Sequence, residues 1–255
     1  MPPTHAPSQK PSSAPVALVT GGARRIGEAI VRTLHGAGLR VALHHRASRA
    51  AASRLAAELN AVRADSVTLL EADLLDTPGL AALVESAASA WGRLDVLVNN
   101  ASSFFPTAVG SVGEGEWESL VGTNLKAPFF LAQAAAPLLT RAGGCIVNVT
   151  DIYARRPLQG YPVYSAAKAG LEMLTRALAA ELGPAVRVNA VAPGTILWPE
   201  PPPDSASRER LIARTALKRK GEAADIAGAV LYLVRDAGYV TGHTIVVDGG
   251  RSLSF

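Results

Sequence analysis

The chain has 255 residues, 49% of them hydrophobic and 18% charged, with a formal net charge of +4. That length fits a one-domain α/β fold and that apolar share supports a large core, which excludes a disordered chain. The mild positive balance suits anionic ligands such as phosphates, but Lys and Arg are scattered rather than blocked, which speaks against nucleic acid.

Residues 1–14 are polar and proline-rich, lack the apolar stretch of a secretory signal, and read as a disordered arm, or else as a tag for a partner. From Val16 onward short apolar runs alternate with longer helical stretches. The runs PVALVT, LRVALHH, DSVTLLEA, LDVLVNN, GCIVNVT, VRVNAVA and TIVVDG are β-branched or apolar throughout, as strands covered on both faces must be. Between them, alanine- and leucine-rich segments over 28–36, 48–59, 80–91, 131–141 and 164–182 predict helices. This alternation predicts a single α/β domain over 15–255, a doubly wound parallel sheet with helices on both faces. The segment WPEPPPDSASRERL is the least regular; its prolines forbid a helix start before Asp204, and the region 195–216 is a candidate substrate lid. Cys145 is the only cysteine and lies in a strand, so it reads as a small core residue; no disulfide or thiolate metal site is possible within the chain, and a reducing, cytoplasmic compartment is expected. No apolar run reaches the length of a membrane span, and no metal is expected.

Ligands of such sheets bind beyond the carboxyl ends of the strands. After the first strand, Thr20-Gly21-Gly22-Ala23-Arg24-Arg25-Ile26-Gly27 opens a helix. Glycines there let the backbone approach a pyrophosphate, and the helix N-terminus offers free N–H groups. The second strand ends in His44-His45-Arg46-Ala47-Ser48, with no acid to accept from a ribose 2′-hydroxyl. Arg46 instead suits a 2′-phosphate, so NADPH is the expected cofactor. His44 and His45 either add donors or are ordinary strand-end residues; adjacent positions point to opposite faces, so they are not a metal pair. Asp73 and Leu74 follow the third strand, where the adenine would lie. Asn100, Ala101 and Ser102 follow the fourth, Thr150 ends the fifth, and Pro193, Gly194, Thr195 and Ile196 follow the sixth.

Tyr164 and Lys168 stand four apart on a predicted helix and so share a face. A free tyrosine titrates near 10; bringing it close to neutral takes roughly three units, or about 4 kcal/mol, which a lysine cation and a positive nicotinamide are expected to supply. A tyrosine and a lysine at this spacing are common on surface helices, and it is the place after the fifth strand that makes the pair a catalytic candidate.

TGGARRIG, NNAS, Asn124, YSAAK and the Pro193-Gly194-Thr195 turn together resemble the short-chain dehydrogenase/reductase family, over nearly the whole chain. The resemblance implies a single-domain Rossmann fold, a nicotinamide cofactor, a homotetramer, proton transfer by Tyr164, ribose binding and pKa tuning by Lys168, and a water relay at Asn124. Two departures stand out. Arg25 occupies a glycine position of the common pattern, and Asp151 occupies the position of its catalytic serine. Both, together with the run from Asn100 to Thr107 and Asp248-Gly249-Gly250, resemble the pteridine reductase branch, which implies a pterin or folate substrate such as dihydrobiopterin, dihydromonapterin or dihydrofolate, with hydride delivered to C6 and a proton to N5. An ionised aspartate accepts but does not donate, so Asp151 disfavours simple ketones and suits a nitrogen heterocycle whose ring must gain a proton. The resemblance further assigns pterin stacking to Phe104 and ligand contacts to Arg25 and Ser102; Tyr161 either lines the pocket or is a loop residue. A carbonyl reductase acting on 3-oxoacyl thioesters or steroids is the competing reading, and Asp151 argues against it. A nucleotide-sensing protein without turnover is another, and the intact Tyr164, Lys168 and Asn124 argue against that.

Overall fold

The computed structural model describes residues 14–196, 198 and 204–253. The predicted arm, all but its last residue, and the central part of the predicted lid lie outside the described residues. The elements run β1 (Val16–Val19), α1 (Arg25–Gly36), β2 (Arg40–His45), α2 (Arg49–Val62), β3 (Val67–Glu71), α3 (Gly79–Ser89), β4 (Val96–Asn99) and α4 (Glu114–Val121). One π-helical turn, Gly122–Lys126, joins α4 to α5 (Ala127–Ala142), and β5 (Cys145–Val149) leads into a single 3-10 turn, Ile152–Ala154. The chain then continues through α6 (Pro162–Leu182), β6 (Arg187–Pro193), α7 (Ser205–Ala213), α8 (Ala223–Arg235), β7 (Thr244–Val247) and a last 3-10 turn, Arg251–Leu253.

All seven strands pair in parallel, in the order β3-β2-β1-β4-β5-β6-β7. Each apolar run became a strand, and the five inner ones, β2, β1, β4, β5 and β6, are covered on both faces. In β1, Ala17 and Val19 pack beneath α1, α2 and α8 with Ile30, Leu55 and Val230. Val16 and Leu18 face the other layer, with Leu83 of α3 and Leu131 of α5. The strand period of two thus feeds two separate apolar layers from one run.

The helix ends differ from their predicted positions in a physically readable way. The helices expected at 28, 131 and 164 start at Arg25, Ala127 and Pro162. In α5 and α6 a proline occupies one of the first two helical positions, where its missing N–H has no helical partner to lose. Asp204 caps α7, its Oδ1 accepting from the Ser207 N–H at 2.8 Å, so the helix does start just after the proline run.

The topology sets the position of the site. β1 lies between β2 and β4, so the chain winds outward through β2 and β3 and returns on the far side of β1. Such a reversal opens a crevice beyond the carboxyl ends of β1 and β4. The glycine-rich turn, the Asn100–Ser102 segment and Asp151 all emerge at that end.

Candidate active site

A cavity of about 890 Å³ opens along this crevice. Its first half is built on the turn from β1 into α1. Gly21 takes a φ of +63°, a conformation that suits glycine, and a Cβ on Gly27 would meet the Gly21 carbonyl oxygen at 2.1 Å. Arg25 stands in the left-handed region at φ +56°, a conformation unfavourable for a residue with a Cβ, at the position where the common pattern has glycine. Its Nη2 donates to the Trp198 carbonyl at 3.3 Å, across the mouth of the cavity.

The turn is braced from two sides. Asn100 Nδ2 donates to the carbonyls of Thr20 (2.8 Å) and Gly21 (3.1 Å), and the Thr20 hydroxyl accepts from the N–H groups of Asn100 and Ala101. Asn100 therefore holds the loop rather than offering its amide to a ligand. His44 Nδ1 accepts from the Gly21 N–H at 3.2 Å, so its proton sits on Nε2, which faces the Ala72 carbonyl at 3.1 Å. Burial lowers the pKa of His44, and with both nitrogens engaged its ring has no donor left for a phosphate, in contrast to the first of its two sequence readings. His45 is buried and, like Ser48 ahead of α2, does not line the cavity. Arg24, Arg25, Ile26, Arg46, Asp73 and Leu74 do line it. Arg46 is largely exposed, 3.9 Å from Asp73. The glycine cradle, the free N-terminus of α1 and the guanidinium groups around it fit a dinucleotide pyrophosphate.

The second half is carried by the 3-10 turn after β5 and by α6. Tyr164 and Lys168 share a buried face of α6, as their spacing predicts. The Tyr164 hydroxyl donates to Asp151 Oδ2 at 2.7 Å, while Asp151 Oδ1 accepts from the Tyr153 N–H at 2.9 Å. Lys168 Nζ donates to the Val149 carbonyl at 2.9 Å and lies 5.8 Å from the centre of the Tyr164 ring. Burial raises the Asp151 carboxyl above the usual range, against the lowering effects of its two hydrogen bonds and of Lys168. Burial and then the charge of Asp151 hold Tyr164 well above 10. Here the structure departs from the expected low tyrosine: the protein alone keeps the phenol neutral, because burial first and the aspartate second oppose the phenolate. Burial also brings Lys168 down to about 8.

Asn124 sits in the π-helical turn, fully buried, and does not line the cavity. Its Nδ2 donates to the carbonyls of Ser103 and Leu120, both at 2.9 Å, and its Oδ1 accepts from the Ser102 hydroxyl at 2.7 Å. Through these bonds the residue fixes the Ser102–Ser103 segment, a role its sequence pattern did not announce. Phe104 is half-exposed, stacked on Tyr161 at 4.6 Å and edge-on to Tyr164 at 4.8 Å. Ala101, Thr150, Pro193, Gly194, Thr195 and Ile196 complete the walls as expected from their strand ends. Sequence reasoning missed Tyr153, Leu158, Thr123 and Leu211. Leu211, which with Ile212 and Ala213 forms an apolar end to an otherwise mostly polar α7, was the one with a readable signal.

The fold and this tyrosine–lysine site define a class, and the chain belongs to it: the short-chain dehydrogenase/reductase family of NAD(P)-dependent oxidoreductases. The family profile described as enoyl-(acyl carrier protein) reductase matches residues 21–252. Among its relatives, the chain is 40% identical to pteridine reductase 1 of Leishmania tarentolae, over 95% of this chain and 98% of that protein. It is 38% identical to granaticin polyketide synthase putative ketoacyl reductase 2 of Streptomyces violaceoruber, over 94% and 97%. It is 36% identical to 3-oxoacyl-[acyl-carrier-protein] reductase FabG of Staphylococcus aureus, over 92% and 96%.

The low pKa of Lys168 has a consequence for stability. Between about 8 and the ordinary 10.5 of a lysine, the unfolded chain holds a proton that the folded one has released, so stability rises with pH in that window. Replacing Lys168 with Met removes this rise. Denaturant midpoints measured from about pH 8 to about pH 10 should climb in the wild type relative to the variant, and parallel curves would contradict the buried-lysine account.

Proposed function

We propose that this protein is an NADPH-dependent pteridine reductase, acting on dihydropterins such as dihydrobiopterin or dihydromonapterin, and possessing room for dihydrofolate. The observation that carries the reading is the Tyr164–Asp151 hydrogen bond. A ketone oxygen presents only lone pairs and needs donors. Two of the polar groups beside Tyr164, Asp151 and Ser102, are set as acceptors. Asp151 accepts through both oxygens. The Asn124 amide is oriented by two carbonyls, so its Oδ1 must take the Ser102 proton, leaving Ser102 to accept from anything else. A donor-rich heterocycle with ring and exocyclic N–H groups suits such a wall better than a ketone does.

When bound, the nicotinamide dinucleotide supplies hydride. The chain does the rest. Phe104, backed by Tyr161, presents an aromatic face to a flat ring, with stacking of about 0.5–1.5 kcal/mol beyond area burial. Tyr164 and Asp151 together hold one proton at the place where a ring nitrogen must gain it: burial keeps the phenol protonated and makes the carboxyl easier to protonate than usual. Arg46, with no acid at the end of β2 and with Arg24 and Arg25 nearby, supports a cofactor bearing a 2′-phosphate. The relative named pteridine reductase 1 supports the same substrate class. Assembly as a homotetramer in the cytoplasm belongs to this reading and would be checked by light scattering and fractionation.

The ketoacyl reductases among the relatives favour a second reading, reduction of a 3-oxoacyl thioester. Initial rates of NADPH oxidation with dihydrobiopterin, dihydrofolate and a 3-oxoacyl thioester, run side by side, separate the two. Pterin turnover with thioester turnover lower by about 100-fold or more is expected, and the reverse order overturns the proposal. Phe104→Ala should raise the pterin KM about ten-fold and leave the NADPH KM unchanged, within the range of a lost aromatic contact. Equal changes in both would remove Phe104 from the substrate site.

A further inference from the structure

Asp151 and Tyr164 stand on different elements, and their register is held by more than the bond between them. Asp151 opens the 3-10 turn Ile152–Ala154, whose own backbone bonds are few: Ala154 N–H to the Asp151 carbonyl at 3.1 Å, Arg155 N–H to the Ile152 carbonyl at 3.2 Å and Arg156 N–H to the same carbonyl at 3.1 Å. One such turn has no ladder to a neighbour and relies on outside anchors for its position. The Tyr164–Asp151 hydrogen bond is one link to α6, but it is also the bond whose proton has to move. A second link crosses the same gap. Arg155 Nε lies 2.8 and 3.1 Å from the two carboxylate oxygens of Glu172, with Nη2 also on Oε1. Glu172 is only 3% exposed and follows Tyr164 and Lys168 on α6 at the same four-residue spacing, hence on the same face. Arg176, one turn further, reaches Glu172 from within α6 at 2.9 Å. Burial pushes the Glu172 carboxyl up, and the two guanidinium groups outweigh it, so the carboxylate stays charged.

We propose that Arg155 and Glu172 are positioning residues that lock the Asp151 turn onto the Tyr164–Lys168 helix, so that acceptor and donor keep their register while the proton moves. This holds for whichever substrate the site reduces. The three charges make the role separable from folding. Without Arg155, Glu172 keeps Arg176, and without Arg176 it keeps Arg155, so neither loss strands a buried charge. Both arginines are about half-exposed, and only Arg155 joins the two elements.

The test uses the full chain as wild type, Arg155→Ala, Arg155→Lys and Arg176→Ala, each assayed with whichever of dihydrobiopterin and a 3-oxoacyl thioester the wild type turns over. Arg155→Ala should lower kcat about ten-fold with substrate and NADPH KM within about two-fold, since a catalytic group displaced by a fraction of an ångström costs rate rather than binding. Its amide exchange over residues 152–158 should accelerate. Arg155→Lys should recover part of kcat, because an ammonium keeps the charge but not the two-pronged geometry. Arg176→Ala should match Arg155→Ala in lost thermal stability and yet keep wild-type kcat and exchange. Unchanged kcat in Arg155→Ala, or an equal loss in Arg176→Ala, overturns the proposal. Should Arg155→Ala fail to fold, Arg155→Lys against Arg176→Ala decides by the same two readouts. Should the wild type reduce neither substrate, the pterin reading fails while the exchange comparison still decides this one.

Discussion

The Tyr164 hydroxyl donates a hydrogen bond to Asp151 across 2.7 Å, deep in the wall of the cleft. In water a phenol and a carboxylate would make little of each other. Removed from water, each changes what the other can do: the carboxylate resists ionisation of the phenol, and the phenol's hydrogen bond favours the carboxylate's charged form against its burial. Much of the surrounding structure maintains that arrangement. Tyr153 supplies a backbone N–H to the second oxygen, Lys168 holds itself on Val149, and the Arg155–Glu172 bridge ties the two carrying elements together. The result is a wall that sets one phenolic proton among several acceptor oxygens.

The cofactor end is arranged on a comparable plan, with side chains holding backbone rather than reaching for ligand. Asn100 and His44 both serve the Thr20–Gly21 turn, and Asn124 serves the Ser102–Ser103 segment. A backbone shaped this way can present N–H groups to a pyrophosphate with little rearrangement on binding. The left-handed Arg25 fits the same picture. A glycine there would be relaxed; the arginine accepts an unfavourable conformation and places a cation at the cavity mouth, where it meets the Trp198 carbonyl.

The fold was legible because each strand carries its burial in its composition: a run such as Val16–Val19 has no polar face to turn to solvent. The Tyr164–Lys168 pair was legible because a four-residue spacing on a helix is a geometric statement. Asp151 was legible as a departure from a pattern. What stayed hidden depends on neighbours far apart in the chain. Nothing in the pair His44-His45 tells that one ring is neutralised between Gly21 and Ala72 while the other is buried away from the cleft. Asn124 lies behind Ser102 because a π-helical turn rotates it there, and a π turn has no sequence mark of its own. The starts of α1, α5 and α6 were placed a few residues late; in α5 and α6 a proline in the first turn reads as loop until the backbone is seen.

The most direct measurement of the central claim is the specificity of Asp151→Ser, taken as kcat/KM for dihydrobiopterin and for a 3-oxoacyl thioester in the same preparation. If the aspartate and tyrosine share the proton that the ring nitrogen gains, the serine variant loses about 100-fold or more with the pterin, the usual size of an acid–base contribution, while its thioester activity rises. Undiminished pterin reduction in that variant would contradict the account and leave Tyr164 as the sole proton donor.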